Sequence, residues 1–298
     1  MNTSKPIFLV LFKFASILVL AAIIWLSYNP IAGSIEGFIE KSTAKLDKSD
    51  EFEHMLVPIS DVSSSDLLLD ISINSTNHIQ DSILIPYTDF MINGGFKPLP
   101  DLIQILSDAG ICMNDSIVIY GECMPCGGGP APATYIYFMM KCLGHENIKV
   151  LDGTVEDWIG AGLPTTNKSK INPKSNYIPM FSSDLISTYD YVMSGKAEII
   201  DARSFNEFNV GSIPGAINIP SDRVIYNGKI KNETALNEVF GAVSKDKPVV
   251  VFTNNGIKAS LVWFALKMLD YDAKLYTWRD WVANHARHGI SVEKPEEL

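Results

Sequence analysis

The chain has 298 residues, a formal net charge of −10 and a hydrophobic share of 47%. This hydrophobic share is enough to form hydrophobic cores and excludes global disorder. The length is sufficient for about two domains of ordinary size. No Lys/Arg-rich run is present, so the sequence lacks the concentrated basic face that nucleic-acid binding requires, and we exclude nucleic acid as a partner.

The first thirty residues differ from the rest of the chain. Ile7–Tyr28 is an apolar run of roughly 22 residues that contains one charge, Lys13. At about 1.5 Å per residue, a helix of this length crosses a hydrocarbon core about 30 Å thick. We predict a single-pass membrane anchor over residues 1–30, with the following domains on the extracytoplasmic side. The alternative is a cleaved signal peptide, whose apolar region is usually shorter, and no A-x-A site follows Trp25.

Residues 31–56 are polar and mixed in charge, which predicts a tether, and an α/β pattern follows from residue 57. Short apolar runs alternate there with longer amphipathic stretches, as in buried parallel strands and their crossover helices. The predicted strands are Leu67–Ile71, Ser116–Tyr120, Ile148–Leu151, Glu198–Asp201, Pro248–Phe252 and Ala273–Tyr276. The predicted helices are Leu99–Ala109, Ala133–Leu143, Leu236–Ser244 and Ala259–Leu269.

This pattern occurs twice along the chain. LLLD at 67–70 matches EIID at 198–201, and each motif is followed by a comparable Ile-Pro element, a strand, a glycine-bearing loop and a helix. A repeat of roughly 120 residues is too long for a solenoid and fits a duplicated domain. We predict one domain over residues 57–165, a polar linker over 166–175 and a second domain over 176–298.

Two stretches carry a resemblance to a known family. The second half contains DARSFNEFNVGSIPGAINIP at 201–220, and the first half contains GHEN at 144–147 and AGLP at 161–164. These runs resemble the opening and closing signatures of the rhodanese, or sulfurtransferase, family. The resemblance covers about residues 57–290. It implies two rhodanese-like domains, each a small parallel sheet flanked by helices, after the predicted transmembrane helix.

Charged residues follow the first core strand of the second half. Asp201 and Arg203 can pair beside the strand end, with Glu207 nearby. Ion-pair networks of this kind usually have structural roles. We therefore interpret Asp201, Arg203 and Glu207 as a network that fixes the loop.

The resemblance also implies a cysteine nucleophile in a loop between a core strand and a helix, where backbone N–H groups stabilise a thiolate. In the second half, Gly256 and Lys258 stand where the family has its glycine and basic residue, but Thr253 stands at the cysteine position. A threonine hydroxyl cannot carry a persulfide. We predict that the second domain is catalytically degenerate and that its loop, with Gly256 and Lys258, can still bind an anion.

The corresponding loop of the first half, residues 121–133, has cysteines but is several residues longer than the family's loop. Cys126 adjoins a glycine run and is the predicted nucleophile, and Cys123 is a possible resolving partner in a C-x-x-C pair. The predicted anion-binding glycines of this loop are Gly127, Gly128 and Gly129.

The surroundings of this loop weaken the prediction of thiolate chemistry. No Lys or Arg occurs between Gly121 and Met140, and Glu122 opposes thiolate formation. Cys112 and Cys142 lie among apolar residues, so we expect both to be buried.

These observations favour a membrane-anchored sulfurtransferase in which Cys126 takes sulfane sulfur from thiosulfate or 3-mercaptopyruvate and passes it to a thiol acceptor. The expected partners are a small sulfur-containing anion, a thiol acceptor and a membrane bound through residues 7–28, and no cofactor or metal is expected. Two alternatives stay open: a non-catalytic rhodanese-like binding module, and a thiol–disulfide redox protein that uses Cys123 and Cys126.

Overall fold

The structure is a computed structural model that describes residues 54–73, 75–123 and 128–287. The predicted anchor, almost all of the predicted tether, Cys126 and Gly127 lie outside these residues. Within the described ranges, every helix is too short or too polar to cross a membrane.

The secondary structure alternates between strands and helices along the chain. The strands are β1 (Leu56–Pro58), β2 (Leu67–Asp70), β3 (His78–Ile79), β4 (Ile83–Leu84), β5 (Met91–Ile92), β6 (Gly95–Phe96), β7 (Ile117–Tyr120), β8 (Ile148–Asp152), β9 (Thr165–Thr166), β10 (Glu198–Asp201), β11 (Ile217–Asn218), β12 (Ile225–Tyr226), β13 (Lys229–Ile230), β14 (Val249–Thr253) and β15 (Ala273–Thr277). The helices are α1 (Leu99–Asp108), α2 (Ala131–Cys142), α3 (Val155–Gly160), α4 (Tyr189–Met193), α5 (Phe205–Val210), α6 (Glu233–Val239), α7 (Ile257–Met268) and α8 (Trp278–Arg287).

Two separate parallel sheets organise the fold. The first has the strand order β1-β8-β7-β2-β4, and the second has the order β11-β10-β14-β15. A parallel bridge between Ile186 and Leu275 continues the second sheet beyond β15, as β1 continues the first sheet beyond β8. All residues of β7 and β14 are buried, because helices cover both faces of each sheet. The predicted α/β architecture of parallel sheets flanked by helices is confirmed.

The two halves pack on each other through α2 and α7. Both helices are apolar on every side: residues 132–140 of α2 and 259–266 of α7 are buried without a gap. The Tyr137 and Phe264 rings meet edge to face at 4.9 Å between centroids, and Phe138 and Trp263 meet in the same way at 5.0 Å. These two pairs occupy matching positions of the repeat, so the contact is nearly symmetric.

Each half also extends a hairpin toward the other. The β5–β6 and β12–β13 hairpins turn through Asn93-Gly94 and Asn227-Gly228, with φ of 50° at both asparagines and 77° and 76° at the glycines. Positive φ at both central residues is the tight-turn geometry that Asn-Gly favours. Arg279 donates a hydrogen bond to the Asn93 carbonyl, and Lys229 pairs with Asp157 at 3.1 Å in the opposite direction. The two hairpins therefore exchange contacts between the halves.

Several local predictions differ from the structure. The predicted helix Leu236–Ser244 is wrong in position, since α6 starts at Glu233, where the Asn232 side chain caps it by accepting from the Ala235 N–H at 3.0 Å. Strand β1 begins at Leu56, so the last predicted tether residue lies in the first sheet. At the far boundary, Thr166 of the predicted linker pairs with His78 in the β3–β9 ladder.

The two cysteines outside the loop have different environments. Cys142 is a buried free thiol, and burial raises its pKa to about 12, so it has no thiolate character near neutral pH. Cys112 is a free thiol that is exposed, and the prediction that it is buried is wrong. It lies in the turn after α1, where its N–H donates to the Asp115 carboxylate at 2.7 Å and the side chain faces outward.

Candidate functional site

The starts of α2 and α7 converge on one cavity of about 380 Å³, the loop cavity. Both halves line it: Tyr87, Gly128, Ala131 and Pro132 come from the first, and Arg203, Ser204, Glu207, Pro220, Ser221, Asp222, Thr253, Asn254, Asn255, Ile257 and Lys258 come from the second. Thr134 and Ser260, one turn into each helix, are 3.1 Å apart between their hydroxyl oxygens. The positive end of a helix favours negative charge, and the starts of α2 and α7 both face the loop cavity, although Pro130 and Pro132 supply no N–H group at α2 and the Ile257 N–H already donates to Asn255.

The second loop places a hydroxyl where the family's cysteine would stand. Thr253 ends β14 and is buried, and its Oγ1 accepts a hydrogen bond from the Gly256 N–H at 3.2 Å. Gly256 has a φ of 89°, a conformation that glycine adopts without strain, and α7 begins at the next residue. The loop therefore has an inward N–H group that could stabilise an anion, and an uncharged oxygen fills that position.

Charged side chains of both signs surround the loop cavity. Lys258 is exposed at its edge, so a cation of the second half lies on a cavity that the first loop also lines. The carboxylates of Glu207 and Asp222 also line the loop cavity. The Ser204 hydroxyl, with the Asn254 amide at 2.7 Å, lowers the pKa of Glu207, so this carboxylate is ionised. An anionic ligand is accordingly favoured beside Lys258 and the helix starts, and disfavoured beside Glu207.

Asp201 and Arg203 form a buried ion pair beneath the loop cavity. Arg203 Nη2 lies 2.6 Å from Asp201 Oδ2, and its Nε lies 2.9 Å from Asp201 Oδ1. Arg203 also donates to the Gly211 carbonyl at 2.7 Å and lies 4.1 Å over the Trp278 ring. Ser212 donates to the same carboxylate at 2.8 Å. Nε and Nη2 of Arg203 are engaged in this way, and these contacts fix the start of the segment that follows β10.

The first half has a different strand end. Tyr120 pairs with Asp70 as Phe252 pairs with Asp201, so Gly121 occupies the position that matches Thr253. Gly121 has a φ of 122°, and a Cβ there would lie 2.6 Å from the Ser72 hydroxyl and 2.8 Å from its amide nitrogen. No side chain fits at this position. A nucleophile in the first half must therefore lie further along the loop.

Cys123 is buried and disulfide-bonded in this structure. The Tyr87 hydroxyl donates to its Sγ at 3.5 Å, and Tyr87 also lines the loop cavity. Cys112 and Cys142 are free thiols, so neither is the partner of Cys123 in this bond.

The described glycines of the first loop are already hydrogen-bonded. The Gly128 N–H donates to the Cys123 carbonyl at 3.0 Å, and the Gly129 N–H donates to the Glu122 carboxylate at 2.7 Å. Both groups were predicted to bind an external anion, but in this structure the chain's own oxygens occupy them. Glu122 thus acts as the anion at Gly129.

Sequence reasoning missed part of the cavity lining. Tyr87 and Asp222 follow the matched elements Ile85-Pro86 and Ile219-Pro220, each in a short 3₁₀ helix. The signal was present, because an Ile-Pro pair at the same place in both repeats marks a shared turn. Its meaning for the site depends on how the two halves pack, which the spacing does not give.

The comparisons with known proteins agree with this architecture. The rhodanese-like domain family matches residues 187–283. A putative thiosulfate sulfurtransferase of Mycolicibacterium smegmatis is 27% identical over 225 residues, which is 67% of this chain and 79% of the relative. The 3-mercaptopyruvate sulfurtransferase of Escherichia coli strain K12 is 27% identical over 217 residues, or 66% of this chain and 74% of the relative.

A solved structure extends the similarity beyond the matched domain. SseA from Escherichia coli, which has the rhodanese fold, superposes with a TM-score of 0.65 at 22% identity and covers 74% of this chain and 97% of its own. At this identity the likeness shows the fold alone. Residues 187–283 therefore match the rhodanese-like domain family, and over about two thirds of its length the chain is similar to sulfurtransferases.

Proposed function

We propose that this protein is a sulfurtransferase in which Cys126 takes sulfane sulfur from thiosulfate or 3-mercaptopyruvate at the loop cavity and passes it to a thiol acceptor. The observation that carries the proposal is the convergence of two helix starts and Lys258 on a cavity also lined by Gly128. Cys126 precedes Gly128 by two residues in the sequence. The sulfurtransferase relatives supply the reaction class.

The proposed reaction requires a reduced first loop. Two equivalents of a thiol reduce the Cys123 disulfide and release Cys126 as a thiolate. This sulfur attacks the outer sulfur of thiosulfate, the S–S bond of the donor breaks, and sulfite leaves with the electron pair. The acceptor thiolate then attacks the outer sulfur of the Cys126 persulfide, which regenerates the Cys126 thiolate.

In this proposal, the residues around the loop cavity bind the donor anion and position the first loop. The starts of α2 and α7 and the Lys258 ammonium stabilise the donor anion, because N–H groups and a cation favour negative charge. The Tyr87 hydroxyl, which donates to the Cys123 sulfur, holds that residue beside the cavity. The second loop contributes charge without a nucleophile.

Residues 7–28 are proposed to anchor the protein in a membrane, with the described domains on the extracytoplasmic side. The disulfide-bonded state of Cys123 supports this side, since disulfides persist in oxidising compartments.

The cysteine variants test the assignment of the nucleophile. We expect the purified full chain, kept in mild detergent and pre-reduced, to release sulfite from thiosulfate and to retain one extra sulfur atom on the peptide that contains Cys126. Cys126→Ser should reduce release to background, because the attacking sulfur is gone. Cys123→Ser should retain release and should no longer require pre-reduction. Sulfite release and peptide mass spectrometry after alkylation measure both effects.

The activities of these variants distinguish between the possible nucleophiles. Unchanged release in Cys126→Ser would eliminate Cys126 as the nucleophile, and loss in both variants would mean that the two cysteines act together. Cys112→Ser is the matched control, since this exposed thiol precedes β7, whereas the loop follows that strand, and the variant should not affect release.

A second function, thiol–disulfide exchange, is favoured by one observation, the disulfide-bonded state of Cys123. In that case the reduced chain would transfer two electrons to a disulfide substrate and would acquire no sulfur from thiosulfate. A non-catalytic binding module is favoured by Thr253 and would show neither reaction.

Thr253→Cys tests whether this one residue makes the second domain inactive. A thiol in place of the Thr253 hydroxyl would receive the Gly256 N–H and face the start of α7, two features that stabilise a thiolate. We expect sulfite release from thiosulfate to appear in Thr253→Cys on a Cys126→Ser background. Thr253→Ser on the same background is the control and should remain inactive. No release from Thr253→Cys would show that the degeneracy lies in more than this residue.

A further inference from the structure

A second and larger cavity lies beneath the β5–β6 hairpin, on the other side of the Asn254–Gly256 loop. This hairpin cavity has a volume of about 750 Å³. The hairpin and α2 of the first half form one wall, and the ends of β15 and the start of α8 form the opposite wall. Its volume is within the range of about 300–1,000 Å³ that small-molecule pockets usually have.

Two buried hydroxyls in this lining have spare hydrogen-bonding capacity. Within the described chain Ser187 Oγ has no hydrogen-bond partner, and Tyr276 Oη approaches the Asp280 carboxylate without forming a well-aligned hydrogen bond. Both residues line the hairpin cavity. A buried hydroxyl without a partner is costly, and a ligand with hydrogen-bond acceptors would satisfy it.

The walls favour a flat ring. Phe96 stacks on Tyr135 at 4.2 Å between centroids and 6.4 Å from Phe138, with 15° between the planes in each case, so three nearly parallel rings border the space. Aromatic walls with a few fixed polar groups are typical of sites for ring-bearing ligands.

The charges at the rim disfavour an anion. Asp190 and Asp280 line the hairpin cavity together with one cation, Arg279. Arg279 donates to the Asn93 carbonyl and keeps its charge, and the two carboxylates outnumber it, so the rim is negative by one charge. The ligand class therefore differs from the anionic donors proposed for the loop cavity.

The internal repeat supplies a comparison within the same molecule. The β12–β13 hairpin covers the end of the first sheet in the matching place, and the space beneath it is only about 20 Å³. Lys229 occupies this hairpin at the position of Gly95 and pairs with Asp157 at 3.1 Å. A Cβ added to Gly95 would meet no atom within 4 Å. Gly95 thus leaves the space beneath its hairpin open, whereas the Lys229 side chain helps to fill the matching space beneath the other hairpin.

We propose that the hairpin cavity is a binding site for an uncharged, flat heteroaromatic small molecule whose ring packs against Phe96 and Tyr135 and whose acceptor atoms bind the hydroxyls of Ser187 and Tyr276. Since Asn254 and Asn255 line both cavities, such a ligand contacts the loop that carries Thr253. The site requires no cysteine chemistry, so it stands independently of the proposed sulfur transfer.

The test uses benzimidazole as the probe and the full chain in mild detergent. We expect benzimidazole to bind, as detected by saturation-transfer NMR, and benzimidazole-5-carboxylate to bind more weakly, because it adds a negative charge to the same ring. Tyr276→Phe and Ser187→Ala should each weaken benzimidazole binding about three- to tenfold, as expected for one lost hydrogen bond. Tyr226→Phe, at a residue that is 70% exposed and outside the cavity, should bind like the unmodified chain.

Gly95→Lys copies the filled half of the molecule and should abolish binding while it leaves the thermal unfolding temperature near that of the unmodified chain. Absence of benzimidazole binding to the unmodified protein overturns the proposal. Equal binding by Gly95→Lys, or by Tyr276→Phe and Ser187→Ala together, also overturns it, because the probe would then occupy another surface.

Discussion

Arg203→Ala is expected to lower the free energy of unfolding by about 3–5 kcal/mol, the typical cost of removing one partner from a buried ion pair. Asp201 is completely buried, and the substitution would leave its carboxylate with only the Ser212 hydroxyl and one backbone N–H. Stacking of the guanidinium on Trp278 would be lost as well. Urea unfolding followed by circular dichroism measures the change.

Two further variants show where the effect originates. Lys174→Ala breaks an exposed ion pair of similar length, 2.7 Å to Asp108, and should leave the unfolding midpoint unchanged, since solvent screens exposed pairs. Asp201→Asn in the Arg203→Ala background should recover part of the loss, because the remaining buried group is then neutral. A loss below about 1 kcal/mol in Arg203→Ala would show that water reaches the Asp201 carboxylate.

Gly121→Ala is expected to destabilise the protein by about 2–4 kcal/mol, the sum of overpacking and backbone strain. The new Cβ would lie 2.6 Å from the Ser72 hydroxyl, and a φ of 122° is rarely adopted by alanine. Gly162→Ala separates these two causes: its φ is 74°, but no atom lies within 4 Å of the new Cβ, so only the strain applies. If the two variants lose equal stability, the collision with Ser72 has been relieved by movement of the loop.

Much of the fold could be predicted from local sequence. Val249–Thr253 is a run of apolar residues ended by a loop, and such a run becomes a central parallel strand because both faces must be covered. The helix Ala259–Leu269 was predicted to within two residues, because apolar residues continue through it. In contrast, the predicted helix at Leu236–Ser244 failed because α6 is set by its cap at Asn232, and a buried Phe240 ends it.

The site was harder to predict than the fold. Thr253 and Lys258 could be placed from the loop alone, because the family spacing there is intact. The need for glycine at position 121 could not be inferred from sequence. The atoms that leave no room for a Cβ there belong to Ser72, nearly fifty residues earlier in the chain. Asn93-Gly94 and Asn227-Gly228 are strong hairpin signals, and their positions in the sequence coincide with both hairpins.

The exchange of hairpins and the packing of α2 on α7 have a consequence for how the protein gains its structure. A half on its own would leave a helix with apolar side chains on every face and the end of a sheet without its cover. Each repeat thus completes the packing of the other, and we expect the two repeats to unfold together as one cooperative unit. Substitutions in one copy are then constrained by packing against the other copy, so the second repeat, with Thr253 at the end of β14, has a structural role whatever its chemistry.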